Sequence, residues 1–149
     1  LSQWVPYTAQ VDVLAKDEQQ GSFSLRMQLD FPFPLSDRDV VVSGQISQNK
    51  DGSLRIQNRA VSDPRAPVQP DVVRIVRYEG GWTLRPINAQ ETEVSTEGYA
   101  DPAGNIPLSV ANFFAEQQPY QMLQALKTVV QLPRYQHAKA PVFRAAPTP

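Results

Sequence analysis

Every stretch with strand-like alternation lies before residue 102, and the one long helical stretch comes after it. This order admits few folds, because parallel strands need long crossovers, and no helix-length segment separates the strands. The expected class is α+β, with a mainly antiparallel sheet closed on one face by a C-terminal helix.

The clearest strand is Phe23–Asp30, where Phe23, Leu25, Met27 and Leu29 face one way and Ser24, Arg26, Gln28 and Asp30 the other. Pro32 and Pro34 end it, since neither can donate to a ladder. Tyr7–Ala15 alternates as well, with Tyr7, Ala9, Val11 and Val13 on the inner side. Asp39–Gln48 turns Val40, Val42, Gly44 and Ile46 inward. The Asp51-Gly52 pair supplies the positive backbone angles of a tight turn, so Ser53–Val61 returns antiparallel with Leu54, Ile56, Asn58 and Ala60 inward. Ser62–Asp71 carries Pro64, Pro67 and Pro70 and reads as a stiffened loop. Val72–Tyr78 and Trp82–Ile87 read as a second hairpin turned by Glu79-Gly80-Gly81, and Thr92–Tyr99 as the last of about seven strands.

Pro107 stands where a first helical turn tolerates a missing N–H, and apolar residues at helical spacing follow as far as Val130. A helix over Leu108–Val130 is roughly 34 Å long at about 1.5 Å per residue, enough to cross six or seven strands. Val110, Phe113, Phe114, Met122, Leu126 and Val129 fall on more than one stripe, so contact from several sides is expected. Pro119 should kink the helix or split it after Gln118.

Composition removes several function classes. Fourteen Lys and Arg against fifteen Asp and Glu leave no basic run for nucleic acid. The chain has no cysteine and one histidine, His137, which excludes the usual zinc clusters and, standing in the expected tail, argues against a Ser-His-Asp triad. No cofactor is implied. No apolar run reaches the eighteen or so residues of a membrane span. The start LSQWVPYTAQ lacks the pattern of a secretory leader and reads as the middle of a domain. Glu93 and Glu97 share a face best read as solvated, and Arg38 with Asp39 reads as a local pair holding a turn. The apolar helix and the inward set from Leu25 to Ile56 form either a solid core or the wall of a cavity, and periodicity leaves both open.

The segments PFPLSDRD (32–39), VRIVRYEGGWTLRP (73–86) and DPAGNIPLSVANFF (101–114) resemble, in order and spacing, those of START lipid-transfer domains, particularly the small bacterial members. Trp4 with Pro6, and QQPYQMLQAL in the last helix, are similar to further family segments. The resemblance implies a helix-grip fold, a curved sheet wrapped around the C-terminal helix with a lipid tunnel between them. It implies a START-like domain over 1–131 that lacks the family's N-terminal helix and first strands, and a Pro/Ala-rich strap or tail over 132–149. It also places the family's lid loop at Ser62–Asp71. Sterol-binding members carry a buried acid and an arginine where Leu25 and Gly44 stand here, so sterol is not implied; Gly44 is expected to make room beside the helix.

The expected function is non-catalytic binding, and transfer or sensing, of a lipid or other apolar ligand. Leu25, Met27, Val42, Ile56, Ile75, Val110, Phe113 and Phe114 are expected to line the tunnel, with Asn58, Thr96 and Gln117 orienting a head group. These assignments depend on strand parity, which a one-residue slip reverses. The rivals are a polyketide cyclase or aromatase using the same cavity, and an interaction domain with a filled core. The expected partners are a hydrophobic small molecule and, transiently, a membrane. A periplasmic or secreted location is favoured over the cytoplasm, because small bacterial relatives often carry a leader.

Overall fold

The computed structural model describes residue 1 and residues 3–139. Its sheet has seven strands: β1 (Thr8–Asp17), β2 (Ser22–Leu29), β3 (Asp37–Gln48), β4 (Leu54–Ala60), β5 (Val72–Ile75), β6 (Arg77–Pro86) and β7 (Thr92–Asp101). The order is β1-β2-β3-β4-β6-β7, antiparallel throughout, and β5 lies parallel to β3. The antiparallel return expected after Asp51-Gly52 forms, with Ile46 facing Ile56 across the turn at Gly52, whose φ is 82°, and Leu25 faces Val42 on the neighbouring pair of strands. That angle lies in the left-handed region, which glycine reaches without strain.

Strand alternation gives the sheet two unlike faces. Leu25, Val40, Val42 and Ile75 form a buried cluster on the face that carries the helix, with Val11, Phe23, Met27, Leu29, Ala60 and Tyr78 packed against it. The opposite face carries Arg26, Asp39, Val41 and Arg74.

The hairpin expected at Glu79-Gly80-Gly81 does not form. The chain runs one way from Val72 to Pro86, first beside β3 and then, past Val76, beside β4, with both glycines inside β6. Gly80 is needed for closeness rather than for a turn, because any Cβ there would strike the Tyr78 hydroxyl. Gly44 likewise makes no spare room: the Phe23 ring lies directly on it. In β1 the alternation slips at two bulges, so Thr8, Val11 and Val13 face Leu29, Met27 and Leu25, and Thr8 takes the inner side where Ala9 was expected.

The helix changes form beside Pro119, where a kink or split was expected. α1 (Leu108–Asn112) passes through a π-helical turn (Phe113–Gln117) into α2 (Gln118–Val129). In that turn the Gln118 N–H donates to the Phe113 carbonyl, five residues back. The wider turn relieves the clash that a proline ring otherwise makes with the carbonyl four residues earlier, so Pro119 continues the rod. A short helix, α3 (Pro133–Gln136), follows, and Arg134 reaches Gln3 at 3.2 Å. The rest of the expected tail, 140–149, lies outside the described residues.

Candidate functional site

Arg38 fixes where the helix begins. It is 3% exposed, on the helix side of β3, and donates from Nε to the Pro102 carbonyl (3.2 Å) and from Nη2 to the Ala103 carbonyl (3.1 Å). Its guanidinium sits 4.6 Å above the centre of the Phe31 ring. Arg38 thus holds the turn into α1; the local pair expected with Asp39 does not form, because adjacent strand residues point to opposite faces and Asp39 meets Arg26 and Arg74 instead. Burial pulls the Arg38 pKa below the ordinary arginine value, opposed by Asp37.

Above this anchor four rings meet. Phe31 stacks on Phe114 with centroids 4.3 Å apart and planes 4° from parallel. Tyr7 meets Phe113 and Phe114 edge-on at 5.3 and 5.8 Å. A cavity of about 440 Å³ opens beside them, lined chiefly by Tyr7, Phe31, Pro32, Val110, Phe113 and Phe114. Three of these, Val110, Phe113 and Phe114, belong to the set expected from sequence. Tyr7, Phe31 and Pro32 do not; the signal that points to them is the density of rings and prolines at the two strand ends nearest the helix start.

The other expected lining residues are distributed differently. Leu25, Val42 and Ile75 are buried together in the core cluster, with Met27 packed on it. Ile56, Asn58 and Thr96 lie farther along the same face, all half-buried; Thr96 Oγ1 donates to the Gly81 carbonyl at 3.0 Å. Gln117 is exposed in the π-helical turn.

The helix is fastened at its start and lies lightly on the rest of the sheet. No residue of α1, the π-helical turn or α2 is buried. Leu54, Ile56, Trp82, Leu84 and Val94 on the sheet, and Met122, Leu126 and Val129 on the helix, are all half-buried. Apolar surface is therefore left partly open on both elements.

The loop expected as a lid lies elsewhere. In Ser62–Asp71 the buried Ala66 gives its carbonyl to Arg74, and Arg65 donates to the Leu14 carbonyl at 2.7 Å, so the loop straps the face away from the helix. The segment beside the helix is instead Asp30–Ser36, which supplies Phe31 and Pro32 to the cavity. A larger hollow of about 860 Å³ also lies on the outer face, with Gln45, Arg55, Gln57, Arg59 and Glu97 around it. Its polar, open walls do not suit hydrocarbon.

The START domain model matches residues 1–139. This chain belongs to the START domain family. Its sheet and closing helix make the helix-grip fold of the solved family structures. A crystal structure of a StAR-related lipid transfer protein from Xanthomonas axonopodis aligns with a TM-score of 0.75 at 30% identity, covering 87% of this START domain and 71% of that chain. An uncharacterized protein of Pseudomonas aeruginosa is 27% identical over 128 residues, 86% of this chain and 62% of that protein. Human StAR-related lipid transfer protein 7, mitochondrial, is 30% identical over 84 residues, 56% of this chain and 23% of that protein. The START domain described here thus spans less than two thirds of these curated relatives.

Proposed function

We propose that this START domain binds one apolar ligand, a lipid or similar molecule, between its helix and the facing sheet, and carries it without chemical change. The observation that supports this most is the partial exposure of apolar side chains on both elements, beside a cavity of about 440 Å³. That volume lies within the range of small-molecule sites, about 300–1,000 Å³. Burial is worth about 0.8 kcal/mol per methylene, so enclosing ten gives roughly 8 kcal/mol before the costs of binding. The kinship with proteins named for lipid transfer points the same way. Transfer needs a way in from a membrane, and Phe33, 97% exposed between Pro32 and Pro34 beside the cavity, suits brief insertion into one.

Native mass spectrometry of protein purified from its own host, followed by organic extraction, tests the proposal. One apolar molecule per chain is the expected result. A protein that carries none and does not take up a fluorescent fatty acid or phospholipid overturns it.

A further inference from the structure

Across the middle of the helix-bearing face, Gly44, Asn58, Gly80 and Gly98 stand side by side on β3, β4, β6 and β7. Three of the four positions have no side chain, so Asn58 is the one polar group in the row. Its Oδ1 is buried and has no hydrogen-bond partner. The other orphaned side-chain oxygen among the described residues, Ser24 Oγ, lies on the opposite face. A buried acceptor left unpaired costs about 1–3 kcal/mol. A hydrogen-bond donor arriving in a ligand removes that cost.

Tyr78 completes the pair. Its ring runs along β6 so that the hydroxyl stands over Gly80, the direct neighbour of Asn58, and the Asn58 amide lies beside it. Burial raises the Tyr78 pKa, with the Asn58 amide opposing, so the hydroxyl keeps its proton and can donate. Asn58 and Tyr78 together therefore present one acceptor and one donor within an apolar surround. Two other polar side chains of that face are already engaged, Thr96 on the Gly81 carbonyl and Arg38 on the carbonyls before α1.

We propose that Asn58 and Tyr78 form the polar end of the ligand site and select an apolar ligand that bears a hydroxyl or a secondary amide. Such a group donates to Asn58 Oδ1 and accepts from Tyr78 in the same place. A phosphocholine head group has neither O–H nor N–H, so it leaves the Asn58 oxygen unpaired. From Gly44, beside Asn58, to Arg38, beneath Phe31, is six residues of β3, about 20 Å at 3.3 Å per residue. An acyl chain of ordinary length spans that run, with its far end among Phe31, Phe113 and Phe114. This inference rests on the apolar-ligand reading above and adds the chemistry of the head.

The test compares a dioleoylglycerol, which carries one free hydroxyl, with its O-acetyl derivative and with dioleoylphosphatidylcholine. Each competes with a fluorescent fatty acid for the purified protein. The wild-type chain is expected to bind the dioleoylglycerol about 10-fold more tightly than the acetate, the size of one neutral hydrogen bond. Asn58→Leu should bind the two alike, with the wild-type affinity for the acetate, and should melt no lower than wild type. Tyr78→Phe, which keeps the ring on Gly80, should also narrow the preference, and it serves if Asn58→Leu does not fold. Equal binding of the two lipids by wild type, tighter binding of the phosphatidylcholine, or a preference that survives both substitutions overturns the inference while apolar binding stands. A wild-type chain that takes up no apolar probe overturns the binding proposal, and this inference falls with it.

Discussion

Asp39 and Asn58 are both polar side chains sunk into the sheet, on opposite faces, and they have been treated in opposite ways. Asp39 is fully buried, and both its oxygens are taken: Arg26 Nε and Arg74 Nη2 donate to Oδ2 at 2.6 and 2.9 Å, and Arg74 Nε to Oδ1 at 2.6 Å. The arginines are held in turn, Arg26 by Asp12 and Gln28, Arg74 by the Ala66 carbonyl of the strapping loop. Asn58 Oδ1 has nothing. The outer face closes Asp39 within a set of ion pairs, whereas the helix-bearing face keeps an open acceptor in a surround of half-buried hydrocarbon. A buried ion set need not add net stability, but breaking it leaves charges stranded, which is how it locks the outer side in a single arrangement.

The largest effect that would test this contrast is at Asp39. Asp39→Asn strands Arg26 and Arg74 and should cost about 3–5 kcal/mol in urea unfolding. If the loss is below 1 kcal/mol, the outer face is not the locked side. The same residue has a pH signature. Burial pushes its carboxyl up, but the hydrogen bonds from Arg74 and Arg26 outweigh this and hold it below the usual carboxylate range. Because the folded value lies below the unfolded one, Asp39 gives its full contribution above about pH 4 and loses it as the pH falls through the folded value. Subtracting the Asp39→Asn profile from that of wild type separates this loss from that of Asp63, which Arg65 holds at about 2.

A smaller effect sharpens the distinction on the helix side. Ile75→Ala empties a packed site and should cost about 2–5 kcal/mol, with a lesser change in ligand affinity. Phe114→Ala should cost less than the 3 kcal/mol or more of a fully buried phenylalanine, and should weaken ligand binding more than Ile75→Ala does. Equal stability losses with unchanged binding in Phe114→Ala would make the aromatic cluster ordinary core. Asn58→Leu should raise stability by about 1–3 kcal/mol without ligand, seen as a higher melting temperature, because it replaces an unpaired acceptor by hydrocarbon. At the foot of the scale, Arg85→Ala breaks an exposed pair with Glu93 and should stay within about 1 kcal/mol of wild type.

Alternation in the sequence was enough for the registers of β2, β3 and β4, because each carries a clean inner set and the Asp51-Gly52 turn fixes their offset. It failed where tertiary contact overrides local pattern. Gly80 and Gly81 look like a turn, but what makes Gly80 necessary is the Tyr78 ring above it, which no local rule reveals. Tyr7 does face the helix, as its alternation suggested, but it stands just before β1 with a φ of 60°, and no period-two pattern reveals that it joins the rings at the helix start. The long proline loop suggested a moving cover; its tie to Arg74 depends on a strand that pairs parallel with β3, a pairing absent from the hairpin pattern. The orphaned oxygen of Asn58 could be flagged as a polar residue facing inward, but not as unpaired, since its neighbours come from three other strands.

The π-helical turn at Phe113–Gln117 also sets the angular phase of everything after it. One surplus residue in a helix offsets the downstream side chains by about 100° from the direction a regular rod would give them. Phe113 and Phe114 can therefore both meet Tyr7 while α2 presents its own apolar side on an independent bearing. Deleting a single residue there would straighten the spiral and leave the two ends aimed at incompatible quarters.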